Sequence, residues 1–317
     1  MPWEKKGLIF KPKQNHEWMQ AYATVPTPDL ISPNNIRIYF GTRDSSNRSH
    51  ITYLEADASN PNNISYLHNE PILTPGEIGC FDDCGVMPSW VVNHNGYKYL
   101  YYTGWNVRNT ISYHNSIGLA ISEDDGKNFK RLSQGPVIDR NFNEPHFSAI
   151  PCILIENNVW RMWYLSCVKW VIFNDRPEPF YHIKYAESSD GIEWKRKGVI
   201  CIDFKDENEC GLVRPCVIKD GNKYRMWYSF RNLQNYRTNI YNSYRIGYAE
   251  SDDGIKWIRK DNEVGISISS DGWDSSMIEY PFVYEYKKKK IMLYNGNNFG
   301  ESGFGFAILR ERGEEIV

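Results

Sequence analysis

Acids, arginines and aromatics recur at one kind of place in this chain, the stretch that runs into a proline heading an apolar segment. Phe81-Asp82-Asp83-Cys84-Gly85-Val86-Met87 leads into Pro88, Asn143-Glu144-Pro145-His146 lies ahead of Pro151, and Glu207-Asn208-Glu209 with Arg214 precedes Pro215. Asp274 and Glu279-Tyr280 precede Pro281, Tyr22 and Thr24 precede Pro26, and Arg43-Asp44 and Arg231 close apolar segments further along. Carboxylates converging on one concavity are what glycosidic-bond cleavage requires: one of raised pKa protonates the leaving oxygen, and another activates water or attacks the anomeric carbon. The expected roles are Glu279 as proton donor and Asp83 as base or nucleophile, with Asp44 and Glu209 tuning them and holding sugar hydroxyls. Arg43, Arg214 and Arg231, with His146 and His50, make an anion pocket, because guanidinium forks suit carboxylate or phosphate groups. Glu144, Tyr22 and Trp105 complete the binding set, and Trp105, Trp170, Tyr181 and Tyr236 are placed to stack on sugar faces. The alternative reading of the same acids is structural pairing with Arg43, Arg214 and Arg231, or a central cation site.

These residues need a scaffold that brings five distant stretches together. The anchor prolines Pro26, Pro88, Pro151, Pro215 and Pro281 are 62, 63, 64 and 66 residues apart. A second column follows each anchor (RIYFGTRD, YLYYTGWN, RMWYLSCV, RMWYSFRN, IMLYNGNN) and a third reads ITYLEAD, SIGLAISEDDG, HIKYAESSDG, RIGYAESDDG and GFGFAIL. Short aromatic and β-branched runs between turn residues are strands, and a fixed period of several strands is the signature of a propeller. The expected fold is all-β, a single domain over residues 1–317 forming a five-bladed propeller of four-stranded antiparallel blades. Fourth, outer strands are expected at 129–138, 194–200 and 257–266. The last repeat lacks one, and Trp3-Glu4-Lys5-Lys6-Gly7-Leu8-Ile9 matches Trp194-Lys195-Arg196-Lys197-Gly198-Val199-Ile200, so residues 3–10 complete blade five and close the ring.

Strand alternation assigns the two faces. Segments 74–86, 139–150, 201–214 and 267–280, with 43–50, 105–115, 167–181, 231–244 and 297–303, share one face as long, varied loops, whereas the opposite face carries tight turns such as Asn93-His94-Asn95-Gly96. Long loops carry function and tight polar turns carry structure. The most conspicuous motif falls on the structural side: Ser122 with Asp125-Gly126 and Phe129, Ser188 with Asp190-Gly191 and Trp194, and Ser251 with Asp253-Gly254 and Trp257 form Asp-box turns.

Composition narrows the function classes. A net charge of −2 argues against a dedicated nucleic-acid or anionic-membrane binder. The start MPWEKKGLIF is charged where a signal segment would be apolar, and no run reaches transmembrane length, so a cytoplasmic location is expected. The seven cysteines are an odd set without disulfide or zinc spacing and are expected as buried thiols, and no metal or cofactor is indicated.

Five blades, Asp-box turns and acids ahead of inner-strand prolines together resemble the superfamily of glycoside hydrolase family 43, the invertases and levansucrases, and the mannoside phosphorylases of family 130. Glu279-Tyr280-Pro281 resembles the Glu-x-Pro of that superfamily, displaced to blade five; Asp83 stands for its blade-two acid; Val25 occupies the place of its blade-one Asp, with Asp44 nearest. The chain is also similar to propeller proteins of bacterial surface-polysaccharide loci. The resemblance implies a glycoside hydrolase-like enzyme on an anionic or phosphorylated sugar or sugar nucleotide. A non-catalytic carbohydrate-binding propeller, or a phosphorylase or transferase on the same scaffold, are the alternatives.

Overall fold

The computed structural model describes residues 2–14 and 16–310. Among the described residues twenty strands carry the chain, and helix is limited to Asp261–Glu263 and Asn297–Gly300. Among the described residues no helix is long and apolar enough to cross a membrane.

Strand β1 (Trp3–Phe10) stands apart in sequence from its partners. Next come β2 (Ala21–Ser32), β3 (Asn35–Arg43), β4 (Ser49–Asp57) and β5 (Ile64–Leu67), then β6 (Gly85–His94), β7 (Tyr97–Val107), β8 (Tyr113–Ser122) and β9 (Lys130–Arg131). The second half repeats the order with β10 (Ser148–Glu156), β11 (Val159–Phe173), β12 (Arg176–Ser188) and β13 (Lys195–Ile202), then β14 (Glu209–Asp220), β15 (Lys223–Asn232), β16 (Arg245–Ser251) and β17 (Ile258–Arg259). The chain finishes with β18 (Glu279–Tyr286), β19 (Lys289–Asn295) and β20 (Phe304–Leu309). Pairing yields two eight-stranded sheets, each two consecutive sets joined by one parallel bridge (Ser49 to Gly85, Tyr181 to Gly211), and a four-stranded sheet in the order β1-β20-β19-β18. The N-terminal strand therefore pairs antiparallel with the last one, Trp3 opposite Leu309 and Phe10 opposite Phe304. The protein is all-β and of propeller type. Each anchor proline lies in the first strand of its set, and these strands pack in succession: β2 on β6, β6 on β10, β10 on β14, β14 on β18, and β18 on β2.

Two sequence expectations are corrected. The outer strands expected at 129–138 and 257–266 shrink to two residues each. Gly135-Pro136 breaks the first, since proline cannot extend a ladder; in the second, Asp261 turns back to accept from the Tyr228 hydroxyl at 2.6 Å and from Arg259 at 2.7 Å. Conversely, 167–181 is not a loop. Strands β11 and β12 run on as a hairpin arm to Phe173 opposite Arg176, turned by Asn174 and Asp175 at φ 50° and 60°, the left-handed pair that a two-residue hairpin turn demands.

The Asp-boxes hold neighbouring sets of strands together. The Ser188 hydroxyl accepts from the Gly191 amide at 2.9 Å, and the Gly191 carbonyl accepts from the Tyr101 hydroxyl of the preceding set at 2.6 Å. Trp163 Nε1 donates to the Gly254 carbonyl at 2.7 Å, and the Tyr39 hydroxyl to that of Gly126 at 2.9 Å. In the first box, one residue longer, Asp124 takes the capping role assigned to Asp125, accepting from the Asn128 amide at 2.9 Å. Trp227 of β15 has no such box to meet in the last set of strands; the Trp3 ring meets it instead, edge to face at 5.9 Å.

Candidate functional site

Every anchor proline sits at a β-bulge, where pairing slips between Thr24 and Thr27, Pro88 and Trp90, Ala149 and Cys152, Val213 and Cys216, and Glu279 and Phe282. The residue before the proline is left-handed in four of the five: Val25 (φ 54°), Ile150 (44°), Arg214 (58°) and Tyr280 (53°). Branched or bulky residues are strained there, and such strain persists only where the surroundings over-determine it. Three of these residues are held by a side chain from the neighbouring set. The Val25 amide donates to Asn295 Oδ1 (2.8 Å), that of Ile150 to Thr103 Oγ1 (3.0 Å), and that of Tyr280 to Ser229 Oγ (2.8 Å).

The bulges surround a cavity of about 520 Å³, the size of a small-ligand site. Its floor is phenolic and apolar: Tyr113, Tyr181, Tyr244 and Tyr280 with Phe147, Ile150 and Met87. Its rim carries Arg43, Arg48 and Arg237 beside Tyr22, Trp105 and Tyr236. Arg43 lies over the rings of Tyr22 (4.6 Å) and Trp105 (5.8 Å), and Arg237 over Tyr236 (4.3 Å). Among the described residues, three guanidiniums and no carboxylate line the cavity.

Beneath the floor, Arg231 is fully buried and donates through Nε to the hydroxyls of Tyr181 and Tyr244, both at 3.1 Å. Those two hydroxyls are themselves in hydrogen-bond contact. Burial raises both phenols above their ordinary pKa, partly offset by Arg231, so they are donors at neutral pH. Glu279, also fully buried, has no hydrogen-bond partner for either carboxylate oxygen among the described residues. Burial pushes its pKa well above the usual carboxylate range against the opposing pull of Arg231, which favours its protonated form. Its charge would oppose ionisation of Tyr244 and Tyr280, two phenols of the cavity floor.

The structure thus separates the expected site residues. Arg43, Tyr22 and Trp105 line the cavity, as do the expected stacking residues Tyr181 and Tyr236. Trp170 instead packs edge-on against Tyr113 at 5.6 Å. The paired carboxylates do not face it. Glu209 is buried and clamped by Arg259 at 2.6 and 2.9 Å, and Glu144 by Arg196 (3.1 Å), Lys184 (3.3 Å) and the Tyr164 hydroxyl (2.9 Å). Asp82 with Tyr102 and Arg131, and Asp274 with Tyr294 and Lys5, repeat that arrangement. In these four sets an acid–cation staple ties the entering loop to the outer strand, and in three of them a tyrosine hydroxyl joins it. The sequence showed acids at recurring positions, but only the fold shows their cations arriving from the far strand.

Asp44 accepts from Ser46 and Arg48 amides (2.9 Å each), Arg48 Nε (2.9 Å) and His50 Nε2 (3.2 Å). Burial opposes ionisation, but the Arg48 backbone, His50 and Arg48 side-chain bonds outweigh it and hold the carboxyl below its usual range. Asp44 therefore braces Arg48 at the cavity rim. Asp83 accepts from the Gly79 amide at 3.0 Å, and its other oxygen is buried without a hydrogen-bond partner among the described residues. His146 is half-buried outside the lining, its pKa lowered by burial and then by His114. Arg214 and Arg231 lie below the floor, so the expected anion pocket survives as Arg43, joined by Arg48 and Arg237. The signal for Arg237 was its place beside Tyr236; its setting is fixed by Glu178 on the hairpin arm, at 2.5 Å. Among the described residues no group of three His, Cys, Asp or Glu side chains is placed to hold a metal ion.

No family model matches the chain. The uncharacterised protein Rv1502 of Mycobacterium tuberculosis (strain H37Rv) is 38% identical over 309 residues, covering 98% of this chain and 99% of that protein. A 1,2-beta-oligomannan phosphorylase of Thermoanaerobacter sp. (strain X514) is 28% identical over 137 residues, 42% of this chain and 44% of that one. Among solved structures, one described under the GH130 family of mannoside phosphorylases, containing glycoside hydrolases that target beta-1,2 mannosidic linkages in Candida mannan, superposes with a TM-score of 0.72 at 16% identity, covering 99% of this chain and 95% of that one.

Proposed function

This chain belongs to the same family as the mycobacterial protein Rv1502 and shares its fold with the propeller glycoside hydrolases, and on that premise we propose that it is a carbohydrate-active enzyme acting on an anionic sugar by phosphorolysis. We read the strand sets as five blades of one domain, closed by the N-terminal strand. The observation that carries the functional reading is the lining of the cavity, three arginines without a carboxylate. Cleavage by water needs two carboxyl groups about 5 to 9.5 Å apart across the scissile bond. Phosphorolysis needs one protein acid, because phosphate brings its own nucleophilic oxygen and the arginines hold it. In the proposed reaction a phosphate oxygen forms a bond to the anomeric carbon, the glycosidic C–O bond breaks, and the leaving oxygen takes a proton. The products are a sugar 1-phosphate and the shortened acceptor. Glu279, whose charge acts on the Tyr244 and Tyr280 phenols of the floor, is the proposed proton source, and the proton that phosphate releases on attack restores it; a sugar phosphate, uronic acid or sugar nucleotide is the substrate class.

The partial relation to a phosphorylase is consistent with this reading. Hydrolysis stands as the second reading on one observation, the buried unpartnered oxygen of Asp83, which would act as base. Incubating neutral and anionic glycosides with and without phosphate, followed by mass spectrometry, separates them. Sugar 1-phosphate formed only with phosphate, and lost in Glu279→Gln, supports phosphorolysis; free sugar formed at the same rate without phosphate overturns it.

A further inference from the structure

Arg214 was expected in the substrate pocket and is instead wholly buried beneath it. Its bonds cross the molecule. It belongs to β14, whose inner-strand neighbours are β10 and β18, yet its guanidinium donates to the carbonyl of Ser89 on β6 and, from Nη2, to the Pro26 carbonyl at 3.2 Å and Thr27 Oγ1 at 3.1 Å on β2. The side chain therefore spans the space enclosed by the inner strands. The Phe282 ring of β18 lies 5.2 Å from the guanidinium carbon, so a fourth inner strand touches the same group. Among the described residues no carboxylate pairs with Arg214, and its Nε has no partner.

A buried cation without a counter-anion costs several kcal/mol in solvation and is retained only where its surroundings solvate it. Here two backbone carbonyls and a threonine hydroxyl do so, and these are the oxygen donors that a hard metal ion selects. Backbone carbonyls converging on an axis are unfavourable without a donor or a cation between them. The backbone at Arg214 is itself left-handed (φ 58°), a strained conformation for a residue with a long side chain.

We propose that Arg214 is a built-in axial cation: its guanidinium occupies a carbonyl-lined place at the centre of the inner strands that would otherwise take a hard ion, and shortening the side chain converts that place into a site for sodium or calcium. The proposal does not depend on the enzymatic reading, and its test is a melting and ion-binding experiment with no substrate. Wild type, Arg214→Lys, Arg214→Gln and Arg214→Ala are melted in choline, sodium and calcium chloride at equal ionic strength, and titrated with terbium as a luminescent probe for calcium sites. Wild type is expected to melt at one temperature in all three salts and to give no saturable terbium signal. Arg214→Ala and Arg214→Gln are expected to melt lower in choline by about 5–10 °C and to recover part of that loss in sodium or calcium. Arg214→Lys, which keeps a charge, is expected to stay insensitive to the ion. A loss equal in all three salts overturns the proposal, as does Arg214→Gln matching wild type. If neither shortened variant folds, wild type decides alone: stabilisation by sodium or calcium over choline overturns the assignment, and indifference supports it.

Discussion

The backbone amide of Val25 donates to the side-chain oxygen of Asn295 at 2.8 Å, across 270 residues of sequence. The same asparagine donates from Nδ2 to the carbonyls of Ala23 (2.6 Å) and Gly303 (3.0 Å). One fully buried side chain thus joins the last set of strands to the first and holds a β-branched residue in a left-handed conformation. Thr103 and Ser229 serve their neighbours in the same way, whereas Leu165 and Gly41 at the corresponding places have no polar side chain to offer.

Asn295→Leu takes this partner from the Val25 amide and the Ala23 carbonyl, while the Gly303 carbonyl keeps the Gly296 amide at 3.2 Å. The expected loss is on the order of 3 kcal/mol or more, since each orphaned group costs about 1–3 kcal/mol. Ser229→Ala and Thr103→Val each orphan one amide and are expected to lose less. Urea midpoints at unchanged slope measure the order; equal effects for all three would refute the joining role of Asn295.

Glu209→Leu tests the staple against a catalytic role. It takes from the Arg259 guanidinium its buried carboxylate and leaves it Asp261 at 2.7 Å, so the loss lies toward the lower end of the about 3–5 kcal/mol that breaking a buried pair from one side costs. The thermal midpoint should fall sharply while affinity for a cavity ligand, measured below that midpoint, stays within about twofold, a change of less than 0.5 kcal/mol. Selective loss of binding at full stability would return Glu209 to the site.

The pH dependence of stability has opposite signs at two glutamates. Glu279 has a folded pKa above its unfolded value, so above about pH 4.5 the unfolded chain releases a proton that the folded one keeps, and stability falls as pH rises until the folded pKa is passed. Glu156 runs the other way. Burial opposes it, but bonds from Lys219, Tyr224 and Arg161 hold its pKa at about 2. Its contribution is present above the unfolded pKa and lost as pH falls toward 2. Subtracting Glu279→Gln from wild type should therefore leave a stability difference that declines from pH 5 to 8, whereas Glu156→Gln should leave one that grows from pH 2 to 5. Calorimetry over that range reads both.

Arg237→Ala should weaken binding of inorganic phosphate or a sugar phosphate by roughly tenfold or more, since a hydrogen bond to a charged group contributes about 1.5–3 kcal/mol. Glu178→Gln, which frees Arg237 from its 2.5 Å partner, should weaken it less. Both effects should shrink as salt rises, because Arg237 is partly exposed. Isothermal titration at two ionic strengths measures this, and identical binding of phosphate and sugar phosphate by all three proteins would refute the anionic site.

The 62- to 66-residue period, the strand columns, the turn chemistry of the Asp-boxes and the match of residues 3–10 to an outer strand are local patterns, and the sequence alone carried them. The pairing of β1 with β20 was equally legible, because seven residues that copy an internal repeat take that repeat's place in a sheet. The direction of individual side chains was not legible. A strand alternates with a period of two, and a one-residue bulge reverses the facing of every later residue, so slips at the five prolines decided which neighbours face the cavity. Tyr280 lines it while Glu279 is sealed within the wall, and Val213 lines it while Arg214 reaches across the inner strands to Ser89 and Pro26. Nor could the chain alone reveal that Glu144 and Glu209 meet cations from a strand 50 or so residues later. Repeats fix where a residue sits along a strand; the partner that neutralises it is chosen only when distant strands meet.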